Sequence, residues 1–465
     1  MRFLRQVRLA QVAVAAIGFS SFGSAVAEPE VKTVPDVLEV GALTSTFEEF
    51  QRTCDAAGRR LWGQSLCAPL LVVHPVTRVF VASTWPSGSG TGPWVGMFPS
   101  ELTIANTALT WAGTTWVQLQ GPLPDAPARR RALLAHEAFH RLRTTLGHPG
   151  REKDNAHLDG IEGRTLLQLE WRALAAALRA TTPSVRTRAV EDALVFRRER
   201  RTRFPEAAVA EGLLEEHEGL AEYTGVALAV ADARGRRALA LENLDDAVKR
   251  SSFVRSFAYA SGPAYGLLLD EAGPRAQGWR ARALAGADLG TLLQDALRLG
   301  TPEPSPEREA RYGGAALRET ERERARLAQA RAEALRKKLV EGPVLHLPLV
   351  RMRIQFNPGE LIPLAEHGTV YPGARIVDAW GSLTATSDVL LSSDWKTATV
   401  NAPRRAPEMH AGKARAGCWS WPPAGAPTRG PDQETWFSRL PRLAHRRLNP
   451  NEPQGVRLRA RLLRS

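Results

Sequence analysis

The chain has 465 residues, 43% hydrophobic and 24% charged, with 38 glycines and 32 prolines in no fixed period. That excludes collagen-like and wholly disordered classes and leaves room for two or three folded units. The formal net charge of +13 lies mostly at the ends: residues 1–27 hold three arginines and no acid, and residues 401–465 hold 13 Lys+Arg against 4 Asp+Glu. The body between them is near neutral, which excludes an electrostatic case for nucleic acid as a partner.

In chain order, Arg2, Arg5 and Arg8 precede an apolar run from Ala10 to Phe22 and the small-residue site Ala25-Val26-Ala27. This pattern predicts a signal peptide over 1–27 and an exported, periplasmic or secreted protein with no stable membrane span once the signal is removed. Residues 28–60 read as mostly helical, with a start near Thr46. Leu70–Val81 reads as strand, and residues 85–95 as loop. Leu102–Trp111 and Thr115–Leu119 read as a hairpin around Ala112-Gly113-Thr114. In an oxidising compartment Cys54 and Cys67 can pair, leaving Cys418 odd.

The period then becomes helical. Asp125 reads as a cap and Pro127 as the first turn of a helix that runs through Leu133, Leu134, Phe139 and Leu142 to about Thr145. Further helices are predicted over about 161–180, 205–231, 258–271 and 289–298. Residues 305–342 are dense in Glu, Arg and Ala and read as one exposed charged helix, a solvated spacer. Alternation after Gly342-Pro343 predicts a small β module over 343–401. Residues 402–465, rich in Arg, Pro and Gly, read as a disordered tail, or as the product of a reading-frame change near residue 402, which translating the gene in its other frames would test.

One constellation carries chemistry. His136 and His140 lie at i and i+4 of a helix, so both imidazoles face one way and can share a metal. Glu137 sits between them in sequence, placed to act as general base on an activated water without ligating the metal. A third ligand is needed. A metzincin-type site would need Gly at 143 and His at 146, where this chain has Arg143 and Leu146; an Asp six residues after the second His would also fall on Leu146. Downstream, Glu211, Glu215, Glu218 and Glu222 fall within an arc of about 60° on one α-helical face. A solvated acidic stripe is the plain reading, yet Gly219, Leu220, Ala221 and Tyr223 look partly buried, and carboxylates facing a core need a cation. Glu170, in the segment Leu166–Arg172, is a fallback ligand whose plainer role is a structural pair with an arginine.

The pair His136-Glu137-Ala138-Phe139-His140 and Glu218-Gly219-Leu220-Ala221-Glu222-Tyr223 resembles the gluzincin branch of the zincin metallopeptidases. The resemblance covers roughly residues 100–300, with a longer gap between the two segments than the commonest pattern has. It implies zinc held by His136, His140 and Glu218, with Glu222 orienting a zinc-binding histidine. It also implies a Tyr or His that stabilises the oxyanion; Tyr259 and Tyr265 are the candidates, and Tyr265 is preferred. The strand at Asn106–Trp111 is similar to the edge strand along which zincins lay an extended peptide.

The expected fold class is therefore α+β: a zincin-like catalytic domain over 28–304, built from a β-hairpin or sheet and a mostly helical part, then the spacer helix over 305–342 and the β module over 343–401. The expected function is a zinc metallopeptidase acting on peptide or protein substrates. The alternatives are a catalytically silent zincin-fold binding protein of the cell envelope, and an envelope protein whose β module and basic tail matter more than its helices.

Overall fold

The computed structural model describes residues 38–402, apart from residues 89, 149, 151–152 and 357–359, together with a short strand at Arg457–Arg459. The expected signal peptide, most of the basic tail and Cys418 lie outside the described residues. The chain divides into two compact units, one ending at Glu321 and the other starting at Arg322. Both contain helix and strand, so the α+β expectation holds at that level.

The first unit opens with helix α1, Val40–Trp62. It begins a turn and a half before the expected start at Thr46, because its apolar face already includes Leu43, buried with Phe47, Phe50 and Leu61. A disulfide between Cys54 and Cys67 ties the helix to the segment leading into the sheet. The stretch expected as one strand from Leu70 to Val81 is two: β1, Leu70–Val73, and β2, Val79–Ala82, paired antiparallel. Between them Nδ1 of buried His74 accepts from the backbone N–H groups of Val76 and Thr77, which folds the chain back. The stretch expected as loop ends in β3, Trp94–Met97. The predicted hairpin is present as β4, Thr107–Trp111, and β5, Thr114–Gln120.

These strands form one sheet in the order β3-β2-β1-β5-β4, antiparallel except for the parallel pair β1 and β5. Period-two alternation gives the sheet two apolar faces. Leu70, Val72, Val117 and Leu119 join the main core with α1 and the following helices. Leu71, Val73 and Trp116 face a smaller core with Phe80, Phe98 and Ile104.

The helical part comprises α2 (Pro127–Thr145), α3 (Ile161–Arg179), α4 (Pro183–Arg203), α5 (Ala207–Leu214), a π-helical turn at Glu215–Gly219, then α6 (Leu220–Ala229), α7 (Ala233–Ala247), α8 (Ala258–Glu271), α9 (Trp279–Leu284) and α10 (Leu289–Leu297). Ala126 stands at the N-cap of α2, where Asp125 was expected, with Pro127 in the first turn. The helix expected over 205–231 is interrupted by the π turn, and that interruption shapes the site described below.

Two glycines allow the helices around the site to touch through their backbones. A Cβ on Gly225 of α6 would lie 2.7 Å from the Ala132 carbonyl oxygen of α2, and one on Gly262 of α8 would lie 2.3 Å from that of Gly219. Both distances are forbidden to any larger residue.

The segment expected as a single exposed spacer is also different. It forms α11, Pro306–Arg311, and α12, Gly314–Arg336, and its first part is held to the body. Fully buried Asp192 of α4 accepts hydrogen bonds from Arg308, Arg311 and the Tyr312 hydroxyl. Buried Arg164 donates through Nε to Glu321 at 2.9 Å, and Leu317 joins the main core. A charged sequence here does not mean a solvated one, because α3 and α4 present the opposite charges.

The second unit holds two sheets, ordered β6-β13-β12-β9-β8 and β14-β11-β10-β7. Their strands are β6 (Val344–Pro348), β7 (Arg353–Gln355), β8 (Ile362–Pro363), β9 (Thr369–Pro372), β10 (Arg375–Asp378), β11 (Gly381–Thr384), β12 (Asp388–Leu391), β13 (Thr397–Asn401) and β14 (Arg457–Arg459). Leu347, Tyr371, Ile376, Leu383, Val389 and Val400 lie in its core. The β character expected over 343–401 is present. One strand, β14, comes from the stretch expected as disordered and pairs with β11.

Candidate metal centre

Three elements converge on one point: α2 brings His136, Glu137 and His140, the π turn brings Glu218, and α6 brings Glu222. The helix α2 is buried along its middle because small and apolar residues, Ala132, Leu134, Ala135, Ala138 and Phe139, surround the polar ones. The π turn matters because its wider winding breaks the α-helical stripe of four glutamates. Glu215 then turns one way and Glu218 the other.

Nε2 of His136 and Nε2 of His140 are 3.0 Å apart, and Oε2 of Glu218 is 3.4 Å from the first and 3.3 Å from the second. Among the described residues this is the one group of three His, Cys, Asp or Glu side chains placed to hold a metal ion. A tetrahedral centre with bonds of about 2.0–2.1 Å holds its donors roughly 3.3–3.4 Å apart, so this triangle fits one. Oε2 of Glu218 is buried and has no hydrogen-bond partner, as a ligand atom aimed at a cation would be.

The orientation of His136 is fixed. Its Nδ1 lies 2.8 Å from Oε2 of Glu222, a pairing in which Nδ1 donates, and this leaves Nε2 as the nitrogen that faces the centre. Glu222 is held in turn by Asn243, whose Nδ2 donates to Oε1 at 2.8 Å, and Arg129 donates to Asn243 at 2.6 Å. Tyr259 of α8 lies flat beside His136, rings 5.5 Å apart and 9° from parallel.

Electrostatics here favour positive charge at the centre. Burial acts against a charged His136, but Glu218 and Glu222 outweigh it and raise its pKa well above the usual histidine value. Burial likewise opposes ionisation of Glu218, yet His140 and His136 hold its carboxyl well below the usual range. Burial raises the Glu137 carboxyl, with the two histidines partly countering it. Glu137 is 1% exposed, and its Oε2 has no partner, so an acceptor oxygen stands free beside the triangle. Burial, and then the adjacent Glu218, pushes the Tyr259 phenol well above its usual value. Burial, and behind it His140, pushes His217 down to about 3.

Of the residues expected at the site, His136, Glu137, His140, Glu218 and Glu222 come together. Tyr265 does not join them. Its hydroxyl donates to Oε1 of Glu170 at 2.7 Å, inside a cluster with Arg197 and Arg200. Tyr259 and Tyr265 are six residues apart on α8, about 120° around the helix, so only one can face the centre, and it is Tyr259. Glu170 takes its plainer role, accepting from Arg197 at 3.2 Å and Arg200 at 2.5 Å, which excludes it as a ligand. Asn243 and Arg143 were missed. Neither stands near the motif in a way that sequence spacing reveals, although Arg143, three residues past His140, shares its helical face.

No known protein family, curated protein or solved structure matches this chain.

Proposed function

We propose that the chain is an exported zinc metallopeptidase of the gluzincin kind, hydrolysing peptide bonds at His136, His140 and Glu218. The observation that supports this most directly is the triangle of ligand atoms with buried Glu137 beside it, whose Oε2 has no hydrogen-bond partner. His136, His140 and Glu218 would hold a divalent cation, which would supply Lewis acidity for polarising a substrate carbonyl and activating water. Glu137 then accepts a proton and delivers it to the leaving nitrogen, a role for which a buried carboxyl with a raised pKa is suited. Glu222 keeps His136 in the tautomer that a metal requires. Tyr259, at the site where Tyr265 was expected, replaces it as the candidate hydroxyl for the oxyanion.

Two features support a peptide as substrate and an export route. Strand β4 stands last in the sheet order, and an edge strand is the element with which an extended chain can pair by main-chain hydrogen bonds. The Cys54–Cys67 disulfide suits an oxidising compartment. No helix among the described residues is long and apolar enough to cross a membrane.

The test is zinc content and peptide hydrolysis in the wild type and in Glu137→Gln. The variant is expected to keep stoichiometric zinc and to lose at least about 10²–10⁴-fold in kcat, the usual range for a general base. Activity that survives the change refutes the assignment. A folded wild type without stoichiometric zinc favours the envelope protein whose β module and basic tail matter more than its helices.

A further inference from the structure

Beside the ligand triangle lies a second polar arrangement that the mechanism does not use. His217 immediately precedes Glu218 in the π turn, and its ring lies 4.7 Å from that of His140. Its Nδ1 is 2.6 Å from Nη1 of Arg143, and Nη2 of Arg143 donates to Glu216 at 2.8 Å. Arg143 is 3% exposed, so this contact is built into the core and is not a chance surface pairing. On the ring's other side the backbone at Gly150 is so close that a Cβ there would come within 2.8 Å of His217.

Donor and acceptor counting fixes the state of this imidazole. A guanidinium only donates, so Nδ1 of His217 must be the lone-pair nitrogen, and the ring proton must sit on Nε2. That Nε2 lies 3.5 Å from Oε1 of Glu218, the oxygen other than the one that faces His136 and His140. The chain of groups therefore runs Arg143, then His217, then the far oxygen of the ligand carboxylate.

We propose that Arg143 and His217 are positioning residues for Glu218: Arg143 locks His217 with its proton on Nε2, and that N–H engages Oε1 so that only Oε2 is offered to the metal. The inference rests on the reading of the triangle as a metal site. It explains why an arginine sits buried so close to a metal centre. Its charge is balanced by Glu216, and its geometry selects a tautomer. Partners of this kind set metal affinity through the orientation of the ligand they hold.

The experiment uses the full chain and three forms of it. His217→Phe removes both the acceptor for Arg143 and the donor for Glu218. His217→Gln keeps both, since a side-chain amide accepts through its oxygen and donates through its nitrogen. Zinc affinity, measured by competition with a chelator, is expected to fall roughly 10–100-fold in His217→Phe and to stay within about threefold in His217→Gln. With cobalt(II) in place of zinc, the visible spectrum of His217→Phe is expected to change as Oε1 becomes free to coordinate, and that of His217→Gln to match the wild type. A cooperatively folded Phe variant with wild-type affinity and spectrum overturns the proposal. A further measurement needs no variant: nitrogen-15 NMR of labelled histidines should report the proton of His217 on Nε2, and a proton on Nδ1 overturns the proposal. A wild type that takes up neither metal overturns the metal reading and this inference together, whereas metal uptake with the wrong tautomer overturns this one alone.

Discussion

Glu211 and Glu215, which the π turn directs one way, and Glu218 and Glu222, which it directs the other, are four carboxylates, Glu218 partly buried and the rest buried, met in two different ways. The first pair faces α4. Arg200 donates to Glu211 at 2.7 and 3.0 Å, Arg201 donates to it at 2.9 Å, and Arg197 donates to Glu215. Glu170, Tyr265 and Asp288 complete that cluster. The second pair meets no arginine directly; the imidazoles of His136, His140 and His217 and the amide of Asn243 lie against it. Arginine is permanently charged, so the first cluster is complete in itself. Imidazoles bound to a metal are neutral, and two of them beside Glu137, Glu218 and Glu222 leave a negative field that suits a divalent cation. One cluster is a brace and the other, which could hold a metal ion, is a candidate receptor, although the sequence presents both as the same acidic stripe.

Breaking each cluster should give different losses. Glu218→Ala is expected to abolish stoichiometric zinc, and with it hydrolysis, while circular dichroism shows the fold retained; full-affinity zinc in that variant would move the ligand elsewhere. Glu170→Ala should do the reverse. It leaves Arg197 and Arg200 short of a partner in the core and is expected to cost about 3–5 kcal/mol in urea unfolding, with the zinc stoichiometry of the folded protein unchanged. A loss of zinc at full stability would mean that the brace and the receptor are one unit.

Between these extremes lies Glu222, which touches the receptor only through His136. Glu222→Ala is expected to weaken zinc roughly 10–100-fold without removing it, read by chelator competition. An unchanged affinity would show that the tautomer of His136 does not depend on this carboxylate.

The smallest effect expected is on acid stability. Burial works against ionised Glu211, but Arg200, His157 and Arg201 outweigh it and hold its carboxyl well below the usual value. Such a group adds stability above its unfolded pKa, about 4.3, and loses it as the pH falls through the lower folded value. Glu211→Gln should therefore flatten the decline of stability below about pH 4, measured by urea unfolding across that range. An unaltered slope would assign acid sensitivity to other groups.

Local chemistry made part of this legible in the sequence. The i, i+4 spacing of His136 and His140 on an apolar helix depends only on helical geometry, as does the hairpin around Ala112-Gly113-Thr114. The β texture after Gly342-Pro343 was readable for the same reason. Charge was the poorer guide. The arginines of α11 read as solvated in sequence, yet they, like Arg197, Arg200 and Arg201 of α4, are matched by acids 10 to 119 residues away. Period alone could not tell a buried ionic brace from an exposed helix.

What the sequence by itself determined is the pair of histidines with a glutamate between them, because one helical turn places all three. Glu218 was implied only by the motif resemblance; what the tertiary structure added is that it, and not Glu170, lies against both histidines, which tyrosine faces them and which side chains surround them. The π turn at Glu215–Gly219 shifts the phase of the acidic stripe, and Gly225 and Gly262 let α2, α6 and α8 approach to backbone contact. Those are properties of packing between distant segments, and no local period encodes them.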